Sequence, residues 1–374
     1  MQPMFLIMEK YIFNHTLTGG TMNHFFCRNR GAIFVLMLFF SFSAVKAQSL
    51  DETLNNLGQK AATAYVQPIV SAFGSNLNSG WFNRVPSASI LGLDVEIKFI
   101  ASGSFFADDA KTFSATGNFR FSSQQVKDIL NNSGIFEGDP TYALIRDEML
   151  SRDFTVTLTG PTVVGSDQDH MVVEFPGATI EGQTLGAQKI DVNEVKGVMS
   201  NLPILPMGAI QVGLGTVYGT KAYFRWFPSM DVPDLGKFSF FGFGGMHNPG
   251  VWFPNPLPID LAVGFFTQTL TVGDIFESKA TQFGLFASKT FGIGVTLTPY
   301  VGLTSESSTT TLKYDYVFET PNGTSTSRLQ FDLEGENSTA ITVGAALNLI
   351  VFNIAADYKM AHTNTATVSL MFGF

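Results

Sequence analysis

The chain has 374 residues, 22 of them basic and 31 acidic, for a formal net charge of −9. That balance argues against nucleic acid as a partner, because phosphate contacts need a basic patch. Only 14% of residues are charged, against about 25% in an ordinary soluble domain, while Phe and Gly number 37 and 36. Such a composition sets the chain apart from an average soluble enzyme.

The first 47 residues read as a targeting segment. Arg28 and Arg30 supply a positive start, Ala32 to Phe42 an apolar run, and Val45 and Ala47 small residues at the −3 and −1 positions of a cleavage point at Ala47–Gln48. The run is shorter than the roughly 20 residues a spanning helix needs. Met22 would give an export signal of ordinary length. Removing the segment, with Lys10, Arg28, Arg30, Lys46 and Glu9, leaves 18 basic and 30 acidic residues. It also takes Cys27, the single cysteine, so no disulfide or thiolate metal site is expected.

Residues 48–89 form a separate N-terminal segment. Leu50, Leu54, Leu57 and Ala61 recur at helical spacing and predict a short amphipathic helix, whereas 66–81 mix Gly, Asn and Ser and read as irregular. The segment serves either as a plug inside a barrel or as a tail leading into the first strand. From Leu91 to Ala101 apolar residues alternate with a face that carries Asp94, Glu96 and Lys98, the period-two pattern of a strand with one wet face. Ala107 to Ala110 predicts a turn and Lys111 to Phe121 a returning strand.

Residues 122–205 are insertion-rich. Val126 to Leu130 and Tyr142 to Leu150 have helical spacing, Phe154 to Leu158 and Met171 to Phe175 are strand-like, and 177–206 carry no long period. The expectation is one or two strand pairs with an insertion outside the barrel or in its mouth. From Met207 onward short alternating strands follow closely. Phe224 and Trp226 flank Arg225, and Phe291 to Thr304 alternates as one long strand. Phe240-Phe241 predicts a bulge, and Asn322-Gly323 a hairpin turn. Asn353, Asp357 and Lys359 oppose Ile354, Tyr358 and Met360, and the final strand ends Phe372-Gly373-Phe374.

No apolar run after the signal approaches the roughly 18 residues of a spanning helix, but many strands reach the roughly 9–11 residues that cross a bilayer. The fold expected is all-β: a transmembrane antiparallel barrel over 90–374, of about 14 strands with 12 or 16 open, since bacterial barrels favour even numbers. Outer-membrane lipid is then a partner, and the location is the bacterial outer membrane.

The closing Ser369-Leu370-Met371-Phe372-Gly373-Phe374 resembles the C-terminal strand of outer-membrane barrels. That resemblance implies recognition by the barrel-assembly machinery, with Phe374 as the terminal aromatic. Residues 65–81 and Tyr223 to Pro228 are similar to an uncharacterised group of outer-membrane proteins from Bacteroidetes-type bacteria. Size, strand number and a plug-like start are distantly similar to the long-chain fatty-acid transporters. The Asn-Pro-Ala start of that family is absent, because the mature chain begins Gln48-Ser49-Leu50.

His170, His247 and His362 lack metal-ligand spacing, and nothing sets a serine against a histidine for nucleophilic catalysis. No catalytic residue, metal or cofactor is expected, and the chain is read as a non-enzyme. The glycines of Phe241 to Gly245 lack a following Lys-Ser/Thr and read as barrel wall. Asp167 and Asp169 read as a polar hairpin tip. A charge facing lipid costs about 2–4 kcal/mol at midplane, so Arg225, Lys289, Asp357 and Lys359 are candidates to line the lumen. They would form either a polar pathway or a salt-bridged interior. The leading expectation is a passive channel or transporter for small molecules, hydrophobic ones included. The alternative is a non-transporting barrel that displays its insertion.

Overall fold

The computed structural model describes residues 59–373, apart from 194, 201, 233–235, 321, 322 and 351. The export segment, the Ala47–Gln48 junction, Leu50, Leu54, Leu57 and the terminal Phe374 lie outside the described residues.

Helix α1 (Gln59–Leu77) comes first and includes residues 66–77, which sequence periodicity leaves irregular. It is built around small residues and buries nearly its whole circumference, so a one-sided apolar stripe is not the pattern to expect. Strand β1 (Leu91–Phe105) follows after a stretch with no regular structure. Residues 106–203 then leave the barrel and fold as a body of their own. Strands β2 (Thr112–Phe119), β3 (Phe154–Pro161), β4 (Met171–Phe175) and β7 (Gln188–Val192) pair in that order. Helices α2 (Ser123–Asn132) and α3 (Tyr142–Ser151) and the small hairpin β5 (Ala178–Ile180) and β6 (Gln183–Leu185) complete it. The expected return of 111–121 beside β1 does not occur, because β2 pairs with β3 along its full length. Helix α2 begins with a reciprocal capping box between Ser122 and Gln125.

The chain re-enters the barrel at β8 (Ile204–Val217) and continues through β9 (Thr220–Val232), β10 (Gly236–His247), β11 (Asp260–Val272) and β12 (Phe276–Ser288). After the short β13 (Phe291–Ile293) come β14 (Val295–Thr320), β15 (Gly323–Glu334), β16 (Thr339–Asn348), β17 (Asn353–Met360) and β18 (Thr365–Gly373). Ten strands close a ring in the order β1-β8-β9-β10-β11-β12-β14-β16-β17-β18, with β18 returning to β1. All ring pairings are antiparallel.

Ten strands replace the expected count of about 14 for three physical reasons. The strands of the 106–203 body pair among themselves. The 291–304 alternation is folded at Gly292 and Gly294, both at positive φ, so that Phe291 faces Leu297 across a tight hairpin. Finally, β15 pairs only with the upper part of β14, Thr309 to Thr320, beyond the point where β16 has taken the lower part. The irregularity expected at Phe240-Phe241 falls on β9 instead: Phe238 and Phe240 face Met230 and Phe227, so the extra residue lies at Pro228-Ser229. Proline cannot donate to the ladder, which makes this its natural place in a strand.

The outer surface is apolar along a band. On β14, Val295, Leu297, Val301 and Leu303 point outward, and the outward positions then turn polar at Ser305 and Ser307. Phe241, Phe243, Phe283, Leu285, Val343 and Val368 extend the band around the ring. The inward positions between them are polar or small. This is the alternation of a transmembrane barrel, with a polar inward face and an apolar outward band. No helix among the described residues is long and apolar enough to cross a membrane.

Candidate functional site in the occupied lumen

The last turn of α1 enters the ring from the end that carries the 106–203 body. Ser75 Oγ donates to Thr363 O (2.8 Å) and shares a 2.7 Å bond with Thr365 Oγ1, while Asn76 Nδ2 donates to Leu205 O (2.7 Å). Gly80, at φ +67°, ends the helical run in the left-handed conformation that lets the chain turn down the axis. A Cβ on Gly80 would lie 2.9 Å from Thr367, so the close approach to the wall also needs glycine.

Below that turn, Trp81 stacks on Phe266 of β11 with ring centroids 4.8 Å apart. Phe82 packs edge-on against Phe286 of β12 and Tyr300 of β14, at 4.4 and 5.2 Å. Gly302 faces Phe82 at the wall, where a Cβ would come within 2.8 Å of its ring. At the far end Val85 N–H donates to Ser288 Oγ (3.1 Å) and Asn248 Nδ2 to Pro86 O (2.8 Å). Ser89 and Ile90 then bond to the β8–β9 turn, accepting from Gly219 N and Tyr218 N. One segment thus runs the length of the lumen before it becomes β1.

Cations on the wall hold this segment by its carbonyl groups. Lys359 Nζ donates to Ser75 O (2.7 Å), Arg225 Nη1 to Ser79 O (3.0 Å) and Leu77 O (3.4 Å), and Lys98 Nζ to Trp81 O (3.2 Å). Gln211 Nε2 adds a second bond to Trp81 O (3.0 Å). A helix leaves its last carbonyls unpaired and carries partial negative charge at that end, so cations there are favourable. Arg225 also lies 3.8 Å above the Trp81 ring and donates through Nε and Nη2 to Gln211 Oε1. Its guanidinium therefore satisfies a backbone, a side-chain amide and an aromatic face together.

The charges are balanced nearby. Lys359 pairs with Glu306 (3.0 Å), Lys221 with Asp94 (2.6 Å) and Glu96 (3.2 Å), and Tyr300 donates to Asp357 Oδ2 (2.9 Å). Lys98, Gln211, Ser75 and Thr365 are 0% exposed and Arg225 and Lys359 1%, so no water-sized space adjoins them. A few polar atoms remain without a partner: both amide atoms of Gln268, Glu96 Oε1 and Asp357 Oδ1 among them. The arrangement can grip a peptide segment and exclude water.

A family model described as a family of unknown function (DUF6588) matches residues 28–374. The chain belongs to that family. Among solved structures it is similar to OmpF of Salmonella typhi in complex with daunomycin, at 9% identity over 76% of this chain and 98% of that one, with a TM-score of 0.21. A loop-deletion form of OmpT from Vibrio cholerae gives 11%, 76%, 100% and 0.23 in the same order. The transport unit of the autotransporter AIDA-I from Escherichia coli gives 8%, 82%, 98% and 0.25. No curated protein matches the chain. The architecture of this DUF6588 member rests on its own strand pairing.

Of the four charged residues singled out in the sequence, Arg225, Asp357 and Lys359 are buried and face the lumen. Lys289 does not join them: it follows β12 at the rim, exposed, and donates to Pro258 O. A charge one residue past a strand end escapes the alternation that fixes the others. Alternation in β1 marks Glu96 and Lys98 as facing away from lipid, yet their partners on distant strands and on the plug were not legible. The histidines stay apart, His247 with Thr220 and Trp252, His170 with Asp191 and His362 with Glu336. Ser166 Oγ accepts from Gln168 N and Asp169 N at a polar turn. Gly242 and Gly244 face inward against Gln268 and Phe266, where any side chain would collide.

Proposed function

We propose that this protein is a non-catalytic barrel of the bacterial outer membrane that keeps its lumen closed with its own N-terminal segment and presents the 106–203 body at the cell surface. The observation that carries the reading is the continuous run from Ser75 to Pro86 through the ring, gripped by wall cations that no water-sized space reaches. The apolar band supports lipid as the surrounding partner, and the barrel-assembly machinery is the partner that would insert it. Export through a cleaved signal belongs to the same proposal.

A second reading, passive passage of a small solute, is favoured by the unpartnered Gln268 amide, Glu96 Oε1 and Asp357 Oδ1, lumen groups whose capacity the plug leaves unused. Of the features distantly similar to the fatty-acid transporters, the lumen segment supports this reading and the expected strand number of about 14 does not.

Single-channel conductance in planar bilayers separates the two readings. The display reading expects a silent wild-type protein at all voltages, with current appearing only when the plug's grip is broken by Arg225→Met with Lys359→Met. Steady current or solute-driven swelling of liposomes with the wild type would sink the display reading in favour of passage. Outer-membrane fractionation and heat-modifiable gel migration test the barrel in the membrane, and a detergent-free soluble monomer would refute it.

A further inference from the structure

The direction in which the chain threads the ring has a topological meaning. Strand β1 starts and β18 ends at one rim, with Glu96 opposite Gly373. At that rim the ring strands are joined by the turn 218–219 and the connections 248–259, 289–294 and 349–352. The opposite rim carries the 106–203 body and the long β14–β15 hairpin. Outer-membrane barrels keep short turns on the periplasmic side and place long excursions outside.

The first half of α1 belongs to the outer rim. Ala61, Ala62, Tyr65 and Val66 are buried in one core with Val156, Leu158, Met171 and Val173 of the body. Tyr65 OH donates to Lys196 O (2.7 Å), and Tyr65 O accepts from Val163 N (3.0 Å). Lys60 packs beside Gly117 of β2. The second half of α1 and residues 78–90 then descend to the other rim, as the bonds to Thr365, Ser288 and Gly219 mark in turn.

We propose that the barrel exports its own N-terminal helix. The start of α1 stands on the outer face, residues 75–90 make an eleventh crossing inside the ring, and β1 begins from the periplasmic side. The Gln59 end of α1 is thereby delivered to the cell surface. This rests on the outer-membrane reading above.

The full-length protein offers a direct test, because Cys27 is its only cysteine. In a Cys27→Ser background, single cysteines are placed at Lys60, at Leu144 in α3 and at Ser87, all exposed. Intact cells are treated with a membrane-impermeant maleimide. Lys60→Cys and Leu144→Cys are expected to label on intact cells, and Ser87→Cys only after the outer membrane is permeabilised. Labelling of Leu144→Cys without Lys60→Cys would overturn the export of the helix. Labelling of Ser87→Cys alone would overturn the orientation. If all three stay silent until lysis and the protein leaves the outer-membrane fraction, the outer-membrane reading itself fails. An epitope inserted between residues 58 and 59, with the wild-type body intact, must likewise bind antibody on whole cells; an epitope reached only after permeabilisation would refute the proposal.

Discussion

Arg225 concentrates the logic of the lumen in one side chain. Its flanking residues Phe224 and Trp226 face outward, so period-two alternation drives the guanidinium inward, and there it donates to Gln211 and to the plug's own carbonyls. Arg225→Met should destabilise the plugged barrel by roughly 3 kcal/mol, the order expected when charge-assisted bonds and a cation–π contact are lost together. Arg225→Lys should recover little of this, since a point charge cannot serve Gln211, Ser79 and the Trp81 face at once; urea titrations followed by gel mobility would measure both. Gly302 tests the plug from the wall side. Gly302→Val should cost about 1–3 kcal/mol through overpacking against Phe82, and less in a Phe82→Ala background. A double-mutant cycle with a coupling near zero would show that Phe82 does not sit against that wall.

Elements fared differently in the sequence according to how locally they are determined. The ring strands were legible wherever one face is apolar and turns outward and the other faces the lumen: Asp357 and Lys359 in β17, Thr367 and Ser369 in β18, and Glu96 and Lys98 in β1 all point as alternation demands. The 106–203 body was not, because its strands are buried on terms set by each other and by α1, with Phe331 and Leu333 of β15 also contributing to its core. Helix α1 hides for the same reason, as it is surrounded by protein at both ends and needs no polar stripe. The junction between α1 and the body carries a pH signature. Burial pushes the Tyr65 phenol well above its ordinary value. A raised phenol means that the unfolded chain loses its proton first, so packing at this junction is fully stable below about pH 10 and weakens as pH rises further. Stability should fall by about 1.4 kcal/mol per pH unit there. Alkaline denaturation monitored by proteolysis of the body should show this slope in the wild type and lose it in Tyr65→Phe.

For the whole molecule, the ring and the 106–203 body should come apart in stages. The hairpin of β14 and β15 rises above the point where β16 completes the ring, and Gly335 N–H bonds to Ser308 O at its base (3.0 Å). Deleting residues 309–334 should therefore leave heat-modifiable barrel migration in place while making the 106–203 body sensitive to protease, as Phe331 and Leu333 depart from its core. Loss of the barrel band itself would show that the hairpin is part of ring closure. The plug has a further property that follows from its being continuous with β1. A separate inhibitor leaves a pore by dilution, but this one is tethered by the few residues between Pro86 and Leu91 and is held at a fixed, high effective concentration. Its release and return are unimolecular, so the fraction of barrels closed is set by the contacts between segment and wall, those of Lys98, Arg225 and Lys359 among them, whatever the number of copies.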